Sequence, residues 1–266
     1  MEIAERHIDV DGLKVHLRRA GERPLLYVHG VPSASWEWVP FLERTGGVAL
    51  DLPGFGESDK PAGFDYSIPG YDRFLESFCD RVGLERFSLV VHDWGTVALA
   101  LAQRFPERIE RLVLLGCVPL LPGYRWHRAA RAWRTPLLGE MVMGLSTKWS
   151  SRQLTKEANI TPGPLPQEAI DAIWADFDHG TQRAILKLYR SSPPDVLARH
   201  GAGLGQIRCP ALILWPSRDP YIGAEFGQLF ADALGGEVEL EMVEAGHWPW
   251  LDRPDLIDRT AAFLGA

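Results

Sequence analysis

The run Phe87-Ser88-Leu89-Val90-Val91-His92-Asp93-Trp94-Gly95-Thr96 decides how the chain is read. Its apolar, β-branched half stops abruptly at the polar trio ending in Trp94. Gly95 follows, and residues 97–105 form an Ala/Leu-rich segment with helical spacing. The stretch predicts a buried strand, a sharp turn and a helix. A carboxylate raised on such a corner, with backbone N–H groups of the next helix aimed at it, can attack carbon bearing a leaving group and become an ester. Asp is also a favoured helix cap. On this stretch alone the two roles of Asp93 balance.

Composition narrows the class. A chain of 266 residues fits one α/β domain with an insertion, or two small domains, and can bury a large core. Hydrophobic residues at 46% and charged ones at 24% describe an ordinary globular protein. The net charge of −7 argues against nucleic acid and against an anionic membrane surface as partners. No apolar run reaches the ~18 residues of a membrane span, and the acidic stretch Met1-Glu2-Ile3-Ala4-Glu5 lacks the apolar core of a signal peptide. A cytoplasmic location follows as the expectation. Cys79, Cys117 and Cys209, odd in number and set in or beside apolar sequence, read as free thiols rather than a disulfide or metal site. Several of the ten Trp lie in the middle third, which suggests an aromatic-lined pocket.

Outward from the central run, residues 7–10 and 13–17 alternate about Asp11-Gly12 and predict a hairpin. Short buried strands are expected at 25–28, running into His29-Gly30-Val31-Pro32, and at 48–50, running into Asp51-Leu52-Pro53-Gly54-Phe55-Gly56-Glu57-Ser58. A helix is expected over 71–82, another to about 104, and a strand over 112–115. Gly54-Phe55-Gly56 lacks the third glycine of a dinucleotide loop, so it reads as a turn and no cofactor is expected. Strand and helix alternate, which favours a parallel sheet covered on both faces.

From 119 to 205 the strand rhythm stops. Pro119, Pro122, Pro136, Pro162, Pro164, Pro166, Pro193 and Pro194 punctuate helical segments there, among them 129–133, 140–144, 166–177 and 183–189. A helical block inserted between sheet strands reads as a cap over the strands' C-terminal edge, where open α/β sheets bind ligands. Strands resume at 211–215, ending in Pro216-Ser217-Arg218-Asp219-Pro220, and at 238–243, ending near Gly246-His247. Helices are expected at 224–234 and 256–263. The division is then a core of 1–118 and 206–266 with a cap of 119–205.

Asp93, Asp219 and His247 thus stand at the C-terminal ends of three strands, in the chain order nucleophile, acid, histidine. Asp219 beside Pro220 also suits a turn, but three coincidences at the right strand ends favour a catalytic set. The sequence resembles the α/β-hydrolase superfamily over essentially its whole length, and within it the aspartate-nucleophile branch of epoxide hydrolases and haloalkane dehalogenases. The carrying motifs are His29-Gly30-Val31-Pro32, Asp51-Leu52-Pro53-Gly54-Phe55-Gly56-Glu57-Ser58, His92-Asp93-Trp94-Gly95 and Gly246-His247. No G-x-S-x-G occurs, so a serine esterase lacks its nucleophile. The resemblance implies an α/β fold with a mostly parallel eight-stranded sheet and a helical cap. It further implies that Asp93 forms an alkyl ester, that His247 activates water, and that Asp219 supports His247. The backbone N–H groups of Val31 and Trp94 would form the oxyanion hole. Metal and cofactor are not expected. The partners would be a small apolar electrophile and water, and the chain would be a monomer or homodimer.

The leaving atom separates the two branches. An opening epoxide needs acidic O–H groups; Leu188-Tyr189-Arg190 resembles the surroundings of one cap tyrosine in epoxide hydrolases, and Tyr124 is the nearest candidate for a second. A halide needs two N–H donors. Trp94 matches one, but Val31 stands where dehalogenases commonly carry Asn, leaving Trp126, Trp133, Trp149 and Trp174 to replace it. Epoxide hydrolysis is the expectation, and halide release the alternative. A non-catalytic binder on a hydrolase scaffold would have no need of the complete set.

Overall fold

Alternation along the buried strands sorts their side chains onto two faces, and each face calls for its own layer of helices. The computed structural model describes residues 1–160, 163 and 165–266; Pro162 and Pro164 lie outside the described residues. Strands β1 (Ala4–Val10) and β2 (Leu13–Ala20) form the expected hairpin, with positive φ at both Asp11 and Gly12. Strands β3 (Leu25–Val28), β4 (Gly47–Leu50), β5 (Phe87–Asp93), β6 (Ile109–Cys117), β7 (Ala211–Pro216) and β8 (Val238–Val243) complete one eight-stranded sheet of order β1-β2-β4-β3-β5-β6-β7-β8. The pairs from β4 to β8 are parallel, and β2 joins β4 antiparallel.

On one face Leu26, Val28, Leu89, Val91, Leu112, Leu114 and Ile213 share a buried cluster; on the other, Tyr27, Ala49, Val90, Val113, Leu115, Leu212 and Leu214 share a second. Helix α1 (Val39–Thr45) supplies Phe41 and Leu42 to the second cluster. Helices α2 (Ile68–Val82) and α3 (Ala98–Arg104) cover the first. The helix expected from 71 begins earlier, because Ser67 caps it by accepting from the Gly70 N–H at 3.2 Å, with Pro69 in the first turn. Helix α1 has Pro40 in its first turn but no side-chain cap, and it lies outside the elements expected from sequence.

Between β6 and β7 run α4 (Arg128–Arg134), α5 (Leu138–Gly144), α6 (Lys148–Leu154), α7 (Gln167–Ala175), α8 (His179–Ser191) and α9 (Pro194–His200). Helix α8 is pinned across the loop after β4: Thr181 donates to the Gly54 carbonyl at 3.0 Å and Arg183 to the Lys60 carbonyl at 2.6 Å. Helix α10 (Glu225–Ala233) brings Phe226 and Phe230 to the first face, and after α11 (Pro249–Asp252), α12 (Asp255–Leu264) brings Leu256 and Phe263 to the second. Cys79 and Cys117 are buried, Cys209 is half-buried, and all three are free thiols. No helix among the described residues is long and apolar enough to cross a membrane.

Strand β5 holds the centre, so a cavity there has little freedom to collapse. Leu89→Ala, at a fully buried position, is expected to lower unfolding free energy by roughly 2–5 kcal/mol. Urea denaturation with an unchanged slope is the check; a loss below ~1 kcal/mol would show that β5 is not packed as described.

Candidate active site

The end of β5 is strained. Asp93 has φ 47° and ψ −116°, an unfavourable region for a residue with a Cβ, and the chain leaves it directly into the short 3₁₀ turn Trp94–Val97. The turn closes tightly on β3: a Cβ on Gly95 would lie 2.2 Å from the Val28 carbonyl oxygen, so only glycine fits. The Asp93 side chain makes no capping bond to the helix it precedes. Instead its Oδ2 accepts the Val31 N–H at 3.3 Å, and the Trp94 backbone N–H also supports the carboxylate.

Facing the other oxygen, His247 Nε2 stands 3.9 Å from Asp93 Oδ1, too far for a hydrogen bond. On its far side His247 Nδ1 bonds Asp219 Oδ2 at 2.8 Å. Asp219 Oδ1 is held in turn by the N–H groups of Tyr221 at 2.7 Å and Ile222 at 3.1 Å. The loops after β5, β7 and β8 therefore bring together the three residues singled out from sequence. All three are removed from solvent, which sets their electrostatics. Burial pushes Asp93 above the ordinary carboxylate range, opposed by His247, His92 and the two backbone N–H groups. Burial also disfavours the charged form of His247, but the charge and hydrogen bond of Asp219, with Asp93 and Glu37 beyond, outweigh it and hold the imidazole at about 9.

Aromatic side chains roof this set. Tyr189 on α8 meets Trp94 edge-on, ring centres 5.1 Å apart, and is buried. Tyr124 packs edge-on against Trp126 at 5.0 Å, its hydroxyl 3.5 Å from the Tyr221 carbonyl oxygen, a long contact. Burial first, then the charge of Asp93, pushes both phenols well above their usual range. Tyr66 and Tyr71 turn elsewhere, donating to the carbonyls of Pro61 and Pro53. Of the indoles, Trp126 stacks on Trp94 at 5.5 Å but commits its N–H to the Ser192 carbonyl at 3.0 Å. It offers a ring face, not the donor expected of it. Trp149 is exposed, and Trp174 stacks on Phe177. The Trp94 indole N–H is buried without a well-aligned partner, against the Tyr189 hydroxyl.

Other contributors were not foreseen. Tyr221 packs edge-on over His247 at 4.9 Å. His127, 5.0 Å from Tyr221, is lowered to about 4 by burial and by His247. Glu37, fully buried, receives the Gly30 N–H at 3.1 Å and lies 3.4 Å from His92 Nδ1, while His92 Nε2 reaches the His247 carbonyl oxygen at 2.9 Å. A buried Glu opposite a motif histidine is visible in sequence only as one acid among many. Elsewhere, Glu5, His16 and Glu57 bring three possible metal-ligand atoms within 4.8 Å of one another at the sheet edge. Arg18 already pairs with Glu5 and Asp51 with His16.

The family model for the alpha/beta hydrolase fold matches residues 23–254. The chain belongs to that family. A haloalkane dehalogenase of Psychrobacter cryohalolentis is 36% identical over 258 residues, spanning 89% of this chain and 82% of that protein. Epoxide hydrolase 4 of Mus musculus is 25% identical over 272 residues, 93% of this chain and 75% of the relative. Among solved structures, a putative ancestral haloalkane dehalogenase superposes with a TM-score of 0.84 at 26% identity, covering 98% of each chain. The protein is a hydrolase of the epoxide hydrolase and haloalkane dehalogenase type.

The hydrolase should show its buried imidazole in its stability. A histidine raised from 6.5 to about 9 contributes stability that is fully present below pH 6.5 and lost as pH rises through 9. The difference in unfolding free energy between wild type and His247→Gln is expected to shrink by on the order of 3 kcal/mol between pH 6 and pH 10. A difference independent of pH would mean that the carboxylates do not hold the imidazolium.

Proposed function

We propose that the hydrolase opens epoxides to vicinal diols through an alkyl ester on Asp93. Asp93 Oδ1, the oxygen not engaged by the Val31 N–H, attacks an epoxide carbon as that carbon's bond to oxygen breaks. The departing alkoxide takes a proton from Tyr189 or Tyr124. Ester formation abolishes the Asp93 charge, one of the charges keeping His247 protonated, so the imidazole gives up its proton, which restores the phenol, and can then act as base. It then takes a proton from water, whose oxygen adds to the Asp93 carboxyl carbon. The resulting oxyanion lies with the Val31 and Trp94 N–H groups, donors worth ~3 kcal/mol each in such sites. Collapse expels the diol oxygen, which takes the proton held by His247, and the Asp93 carboxyl then passes its own proton to the imidazole and is a carboxylate again. Asp219 holds His247 in orientation and supports its charge. The observation that carries the reading is the pair of buried phenols, Tyr124 and Tyr189, packed on Trp126 and Trp94 and near enough to Asp93 to feel its charge. Residues 119–205, bearing both, serve as the cap.

One observation favours a second reading, halide release: the buried, poorly partnered indole N–H of Trp94. The 36% identical relative named as a haloalkane dehalogenase adds weight to it. A halide there would meet the Trp94 indole; Trp126 is bonded elsewhere and Val31 brings no side-chain N–H, which leaves Trp133, its ring 5.0 Å from Tyr189, as the other indole beside it.

Paired assays with styrene oxide and 1-bromobutane test the choice. Diol should form, and Tyr124→Phe with Tyr189→Phe should slow it by roughly 10²–10⁴-fold. Bromide release without diol would reverse the reading. Asp93→Asn should abolish turnover, and His247→Gln should accumulate a substrate adduct visible by mass spectrometry. Absence of any adduct would reject the covalent route.

A further inference from the structure

The exposed part of the segment running from α4 to α6 departs from the rest of the molecule in two independent ways. The first is apolar. On α5, Leu138, Met141 and Leu145 recur at i, i+3 and i+7 on one face, turned away from the buried Gly139 and Met143. That face is open to solvent, where a surface helix ordinarily carries polar residues. Leu137, which begins the helix, is 84% exposed at φ 66°, a strained conformation for leucine. Leu145 is 73% exposed, and Trp149 at the start of α6 is 70% exposed. Single exposed apolar residues are ordinary, but a cluster of this kind marks an interaction site.

The second departure is charge. Residues 123–156 hold seven basic residues, Arg125, Arg128, Arg131, Arg134, Lys148, Arg152 and Lys156, against one acid, Glu140, in a chain whose net charge is −7. Glu140 is neutralised by Arg190 at 2.7 Å, Lys148 pairs with Asp171, and Arg134 turns inward to the carbonyls of Tyr189 and Ser192. The other five are exposed and make no ion pair among the described residues.

We propose that this face of α4–α6 docks on an anionic lipid surface, with Leu137, Met141, Leu145 and Trp149 entering the interface and the five free cations meeting the headgroups. Exposed leucine and tryptophan flanked by Arg and Lys is the pattern that holds a protein at such a surface. A symmetric second copy fits worse, because a two-fold contact would bring the same unneutralised cations together. The chain-wide negative charge argues against anionic lipid only as an average, since it resides outside this segment. Helix α4 also carries Trp133, which packs on Tyr189 at 5.0 Å, so an apolar substrate delivered from lipid would arrive beside the site.

Co-sedimentation of the full chain with phosphatidylcholine vesicles, alone or with phosphatidylglycerol at about 2:1, tests this. Binding should need the anionic lipid and fall with salt. The Leu145→Asp/Trp149→Asp and Arg128→Glu/Arg131→Glu variants should each weaken partitioning about tenfold or more, with turnover of a water-soluble substrate unchanged. Equal partitioning to neutral and anionic vesicles, or variants that bind like wild type, would overturn the proposal. So would light scattering that shows a dimer dispersed by the same substitutions, which would make a second copy the occupant.

Discussion

A single imidazole between two buried carboxylates is the constraint on which the rest of this structure depends. Each charge would be costly to bury alone, and each is tolerable only because the others are there. His247 lies 2.8 Å from Asp219 and 3.9 Å from Asp93, and the backbone N–H groups of Val31, Tyr221 and Ile222 take up carboxylate lone pairs. These donors come from loops at the ends of β3 and β7, so the charges can be assembled only where parallel strands end side by side. The unequal distances matter. The short contact fixes the ring, and the long one leaves Asp93 Oδ1 without a hydrogen bond that attack would have to break.

The set rests on a second polar layer. Glu37 is buried opposite His92 and joined to the Gly30 N–H, and His92 reaches the backbone of His247. Burial alone would push Glu37 up, yet His92 and His29 hold it low. The loop after β3, the elbow strand and the histidine loop are thereby linked through one carboxylate. Asp51 plays a similar part at the sheet edge: it takes the Ser35 N–H at 2.7 Å and the Glu57 N–H at 2.9 Å besides bonding His16, and it is held at about 2, its burial overcome by these partners.

Much of this was legible in the chain because the relevant signals are local. The β-branched run broken by His92-Asp93-Trp94 marks a strand and elbow; Asp219 follows an apolar run of strand length, and His247 an alternating one, Val238-Glu239-Leu240-Glu241-Met242-Val243. Legibility ended where meaning depends on what lies across space. Nothing local distinguishes Glu37 from a solvated acid or Tyr221 from a loop aromatic. The indole N–H of Trp126 is spent on Ser192, a partner 66 residues away. Net charge is silent in a related way, since one sum over the chain conceals a basic segment within an acidic protein.

The choice of leaving atom turns on timing as much as on position. A phenol is acidic enough to protonate an alkoxide, provided that it still holds its proton when the alkoxide forms. In the resting site, burial and then the Asp93 charge keep the Tyr189 and Tyr124 protons in place. On the proposed route, attack by Asp93 would convert that charge into a neutral ester, so the phenols would become better acids as the oxygen begins to need a proton. A halide gains nothing from this coupling, because it departs as a stable anion and needs only a dipole to face it. Two phenols whose acidity is tied to the nucleophile's charge are therefore better matched to a strained ether than to a carbon–halogen bond.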